Sequence, residues 1–188
     1  MVIEQGLWLT GGYNGVKLQS TDYVYLNGNV KEGPDLPNAR SGHCMVRLDD
    51  GRVMIIGGNG AASDVKIYDA NTKIFTAGPR MIHNRNQHMC AVFRSKLHGN
   101  REVVLVAGGS GRTSSGLRAS EILDYTMENA KWEESKHLLN IQFEFPLVYT
   151  RIRYLRNVCF KNTFKVSNLD INRVMVTASR GITAGHPG

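Results

Sequence analysis

The chain has 188 residues, 41% of them hydrophobic, with 23 Lys or Arg against 16 Asp or Glu and three cysteines. That is enough chain for one sizeable core, with no apolar stretch long enough to span a bilayer and too few cysteines for a disulfide framework. The net charge of +7 would fit a nucleic-acid binder, but residues 1–135 carry 15 basic and 14 acidic side chains, whereas residues 136–188 carry 8 and 2.

In chain order, the first predicted element is "LWLTGG", residues 7–12. Met1 lies so close ahead of it that the strand expected to precede this run is missing. A second apolar run, "VMIIGG" at 53–58, ends in the same glycine pair, and a third occupies Val104 to Gly109. Continuous apolar runs suit strands covered on both faces. Around the second run we read strands at about 42–48, 52–58, 64–69 and 73–77. The Asp-Gly of "LDDGR" (48–52) marks a tight hairpin, and a turn follows at Asn71-Thr72. In the third copy the longer "RSKLHGNRE" (94–102) replaces that hairpin. Beyond Trp132 the pattern decays: 142–166 mixes aromatic, apolar and basic residues, and "RVMVTAS" (173–179) echoes 52–58 as a degenerate fourth unit.

The glycine pairs begin at Gly11, Gly57 and Gly108, spacings of 46 and 51 residues. Gly33-Pro34, Arg40 and His43 recur 45 residues later as Gly78-Pro79, Arg85 and His88. That makes four identities in fourteen positions, where average usage gives roughly one. Tyr68 precedes Phe75 by seven residues, as Tyr125 precedes Trp132. A period near 50 with these elements resembles the kelch repeat, over about residues 6–134, with Val30 where the family has Trp. The resemblance implies an all-β fold, a partial β-propeller of four-stranded blades. Residues 1–135 supply about three blades, the first incomplete, and 136–188 form a basic divergent tail. Gly11, Gly12, Gly57, Gly58, Gly108, Gly109, Tyr68, Phe75, Tyr125 and Trp132 are the structural repeat residues. The bare glycines would leave room for Phe75 or Trp132 to lie against backbone, or would simply permit positive φ beyond the strand.

Cys44 and Cys90 follow His43 and His88 in successive copies and read as buried free thiols acting as small hydrophobes. Unpaired cysteines and the lack of a signal-peptide start favour a reducing, cytoplasmic setting. His43 and His88, being periodic, are expected to serve the repeat, and no histidine falls at metal-ligand spacing. No catalytic motif is present, and "GGSGRTSSG" (108–116) lacks the Lys of a phosphate cradle.

Recognition is therefore expected in loops, which in the kelch family follow the glycine pairs (13–20, 59–63, 110–118) or lie between blades (34–41, 79–87). The candidate partner contacts are Arg40, Asn59, Arg85, Arg112, Ser114 and Ser115, with Asn14 and Lys17 beside them, and arginines point to an acidic peptide; Arg40 and Arg85 recur in register, which reads equally as a structural role in the repeat. The expected function is a protein-interaction scaffold without catalysis, cofactor, metal or small-molecule substrate, able to self-associate through open edges. Two other readings stand beside it: a fragment of a galactose-oxidase-like copper enzyme, and nucleic-acid or membrane binding through the tail.

Overall fold

Each second strand is the most apolar segment of its repeat, and the computed structural model, which describes residues 1–3, 6–111 and 119–135, places each inside a four-stranded sheet. The first sheet comprises β1 (Val2–Ile3), β2 (Gly6–Thr10), β3 (Thr21–Tyr25) and β4 (Val30–Glu32). The second comprises β5 (Cys44–Arg47), β6 (Val53–Gly58), β7 (Ala62–Asp69) and β8 (Ile74–Ala77), and the third β9 (Met89–Ser95), β10 (Arg101–Ala107), β11 (Ser120–Leu123) and β12 (Trp132–Glu134). Within each sheet every strand pairs antiparallel with its sequence neighbour. The described residues are all-β: three four-stranded antiparallel sheets packed face to face in chain order, the blades of a partial propeller. Among the described residues no helix is long and apolar enough to cross a membrane.

The middle blade shows why its second strand cannot alternate apolar with polar. All six residues of β6 are buried. Val53 and Ile55 point into a cluster with Trp8, Leu36, Met45 and Tyr68 on the side of the first blade. Met54 and Ile56 point the other way, into a cluster with Val104, Val106, Leu123 and Trp132. A strand sandwiched between two sheets needs apolar residues on both of its faces. In β2 only one face is covered: Trp8 is 2% exposed, while Leu7 and Leu9 are 41% and 50% exposed.

Three expectations change here. A strand does precede "LWLTGG", although it is two residues long and pairs through Val2–Leu7 and Ile3–Gly6. Cys44 and Cys90 are not free thiols; they form a disulfide with Cα atoms 6.0 Å apart. Their equivalence is the physical reason, because β5 and β9 are the first strands of neighbouring blades and lie side by side. Unpaired thiols were a reason to expect a reducing compartment, and the bridge removes it. Thirdly, Trp132 is buried at 5% exposure, but Phe75 is only half-buried, tilted on Tyr68 with centroids 4.7 Å apart.

The connections follow their sequence signals. In "LDDGR", Gly51 takes φ +88°, and the Asp50 carboxylate accepts from the Arg52 N–H and guanidinium. Asp69 Oδ1 accepts from the Asn71 N–H at 2.8 Å, closing the turn into β8. The longer third-copy loop holds one 3-10 turn, Lys96–His98, ended by Gly99 in the left-handed region.

Candidate functional site

The repeated Arg, His and Gly-Gly residues converge where one blade meets the next. Arg40 lies between the first and second blades, and its carbonyl accepts the Gly12 N–H at 2.9 Å. Its guanidinium reaches into the second blade, to the Gly57 carbonyl at 3.2 Å and Asp64 Oδ2 at 2.7 Å. Arg85 repeats the arrangement one blade later. Its carbonyl accepts the Gly58 N–H at 2.8 Å, and its Nη1 donates to the carbonyls of Gly108 and Ala119 at 2.9 and 2.8 Å. Arg85 Nε donates to Glu121 Oε1 at 2.9 Å, and Nη2 lies at the same distance from that oxygen but off the line of a hydrogen bond. Each arginine thus grips the second glycine of the preceding blade by its backbone and the first glycine of the following blade by its side chain.

This clamp explains the glycine pairs. Gly57 and Gly58 have φ of +59° and +100°, the left-handed region that favours glycine. A Cβ on Gly57 would lie 2.8 Å from the Arg85 carbonyl oxygen, and one on Gly58 would lie 2.8 Å from the His43 Cβ. Positive φ is therefore required, but what approaches the bare backbone is the inter-blade segment and its histidine. The aromatic expected there lies elsewhere: Trp132 Nε1 donates to the Pro79 carbonyl at 2.8 Å.

Arg40 and Arg85 are consequently not partner contacts, since both are 0% exposed. Burying a guanidinium is tolerable only when it is paired and hydrogen-bonded, and here both conditions hold. His43 and His88 are buried beside them. Burial first, and the nearby arginine second, holds His43 down at about 4 and His88 at about 3, so both rings are neutral near pH 7. Thr10 Oγ1 and His43 Nε2 share a 2.8 Å hydrogen bond. At the next joint the position equivalent to Thr10 is Ile56, which has no hydroxyl, and among the described residues neither ring nitrogen of His88 has a hydrogen-bond partner.

Of the remaining predicted contacts, Asn59 is exposed and pairs by backbone with Ser41, across from the inter-blade segment. Arg112, Ser114 and Ser115 lie outside the described residues, as do the tail, the stretch 142–166 and the degenerate unit at 173–179. Sequence reasoning missed Tyr13 and Val16, which are 56% and 65% exposed at the tip of the first post-glycine loop. That loop folds back through a Tyr13–Lys17 bridge. Lys17 packs so near Gly60 that a Cβ there would touch its Cδ at 2.9 Å. Tyr13, Val16, Lys17 and Asn59 are all exposed, and Lys17 brings the first post-glycine loop against the second. An exposed Tyr-Val pair directly after a glycine pair was the available signal.

Among the described residues no group of three or more His, Cys, Asp or Glu is placed to hold a metal. Cys44 and Cys90 are consumed by their bridge, so neither offers a thiol for a tyrosine cross-link.

No family model matches the chain, and no curated protein matches it. Among solved structures it is similar to a fungal alcohol oxidase of the AA5 family, in complex with copper, at 19% sequence identity and a TM-score of 0.48. That likeness covers 68% of this chain and 27% of the oxidase, so the chain spans about a quarter of its length.

Proposed function

We propose that the chain is a non-catalytic scaffold of the kelch type its repeats resemble, and that it binds another protein through the loops after its glycine pairs. One contrast carries this reading. The recurring side chains with chemical capacity, Arg40, Arg85, His43 and His88, are buried between blades, whereas the loop residues Tyr13, Val16, Lys17 and Asn59, which do not recur, are exposed. Strands that hold a fold and loops that vary on top of it are the usual division between scaffold and recognition surface.

The expected partner changes in character. The acidic-peptide reading rested on Arg40, Arg85 and Arg112; the charges of Arg40 and Arg85 are neutralised internally by Asp64 and Glu121, and Arg112 lies outside the described residues. Among the described residues, the exposed loop side chains of the first two blades offer an aromatic and an aliphatic contact, one ammonium, and the amides of Asn14 and Asn59. That combination suits a partner segment with an apolar anchor and a single acidic or hydrogen-bonding flank, with Tyr as the residue type enriched at binding hot spots. The test is capture by the full chain as bait, compared with a Tyr13→Ala, Val16→Ala double variant. Loss of capture with an unchanged melting curve supports the reading. Equal capture by the two baits places recognition elsewhere.

A further inference from the structure

The last strand of each sheet, β4, β8 and β12, pairs on one side only among the described residues. In an antiparallel ladder the residue pairs alternate between those that exchange hydrogen bonds and those whose N–H and C=O groups turn away. One bond therefore fixes the phase of each edge. The Gly78 N–H donates to the Val65 carbonyl at 2.9 Å, in register with Lys66–Ala77 and Tyr68–Phe75, so the backbone groups of Phe75 and Ala77 point away from β7. By the same count, from the Gly33 N–H on the Thr21 carbonyl at 2.8 Å and the Ser135 N–H on the Ser120 carbonyl at 2.9 Å, Val30 and Glu32 point out of the first sheet and Trp132 and Glu134 out of the third. Between the two outward residues stand Lys31, Thr76 and Glu133 respectively.

A strand edge of this kind is a template for another strand, and charged side chains are what keep it unpaired. When a second copy pairs antiparallel about a two-fold axis, the register that satisfies every outward group sets Phe75 against the copy's Ala77, and the middle residue faces itself. On β4 that would set Lys31 against Lys31, and on β12 Glu133 against Glu133. Like charges directly opposite destabilise a pair. On β8 the same register sets Thr76 against Thr76, a favourable pair, and the strand Ile74–Ala77 carries no charge. Ile74, 57% exposed, would stand opposite the copy's Gly78, which has no side chain to keep it out. We propose that β8 is a self-pairing edge, through which two copies of the chain join their second blades into one continuous sheet. The proposal does not rest on the loop surface, none of whose residues lies on β8.

The experiment measures the mass of the full chain by sedimentation over a wide concentration range, with Thr76→Lys and Ala77→Pro beside the unaltered protein. Thr76→Lys gives β8 the like-charge contact that β4 has, and Ala77→Pro removes an N–H that β7 does not use. The unaltered protein should form a dimer, and each variant should weaken it by about tenfold or more. Lys31→Ala should leave it unchanged. Cross-linking gives a second readout that needs no weakened dimer. With Cys159 replaced by Ser, Thr76→Cys should link copy to copy on mild oxidation, because the pair at the axis is the close, non-hydrogen-bonded kind, whereas Lys31→Cys and Glu133→Cys should not. A monomer at every concentration overturns the proposal, as does a dimer that both variants leave intact, or equal cross-linking at the three positions.

Discussion

The two joints of this array use the same repeated parts and differ in what surrounds them. At the first, Arg40 meets an Asp64 whose side chain is 17% exposed and also pairs with Lys66 at 3.1 Å, and the packing is aromatic, with Trp8 and Tyr68 centroids 5.0 Å apart. At the second, Arg85 and Glu121 are both 0% exposed, the packing is largely aliphatic, and a disulfide ties β5 to β9. Glu121 is also held by the N–H groups of Ile82 and His83, at 2.6 and 3.1 Å. The lesson is that a repeat fixes the contact pattern of a joint, while local burial decides how strongly each copy depends on it.

The largest expected effect follows from that difference. Arg85→Ala leaves the Glu121 carboxylate buried without its cation, a loss that typically costs about 3–5 kcal/mol. Arg40→Ala leaves Asp64 with water and Lys66, so its cost should be clearly smaller. Urea unfolding of the two variants checks the order, and equal costs would break the distinction between joints.

The bridge comes next. It closes a separation of 46 residues, and replacing Cys44 and Cys90 by Ser should cost about 2–4 kcal/mol. Reductant should lower the midpoint of the unaltered protein and leave that of the double variant unmoved.

Acid should weaken both joints through His43 and His88. Their folded values, about 4 and about 3, lie below the ordinary 6.5. As pH falls below 6.5 the unfolded chain takes up protons that the folded one refuses, so stability drops. The slope approaches about 1.4 kcal/mol per pH unit for each histidine. Removing either imidazole, as in His88→Asn, should make the acid limb shallower in a series of melts.

Much of this was legible in the sequence because repetition carries it. The three glycine pairs, the Asp50-Gly51 hairpin and the Tyr68-to-Phe75 turn all stand where period and turn chemistry put them. Recurrence in register pointed to a structural role for Arg40 and Arg85 beside the partner-contact reading, but it did not choose between them, because an arginine in a loop has the same letter whether it faces solvent or a buried acid. Their acids, Asp64 and Glu121, escaped notice since they lie at different distances beyond their glycine pairs. The disulfide escaped because spacing within one repeat says nothing of two strands that touch across repeats.

The smallest effect marks the other side of the same division. Asn59→Ala changes an exposed side chain and should shift stability by no more than about 0.5 kcal/mol, while reducing whatever capture the loop surface supports. A large stability loss there would show that the loop belongs to the framework.

The central claim is that the recurring arginines are inter-blade clamps that depend on the guanidinium fork. Equilibrium unfolding of Arg85→Lys tests it most directly, because lysine keeps the charge but cannot reach Glu121 and the carbonyls of Gly108 and Ala119 together. The account predicts a midpoint close to that of Arg85→Ala. A midpoint indistinguishable from the unaltered protein would contradict it.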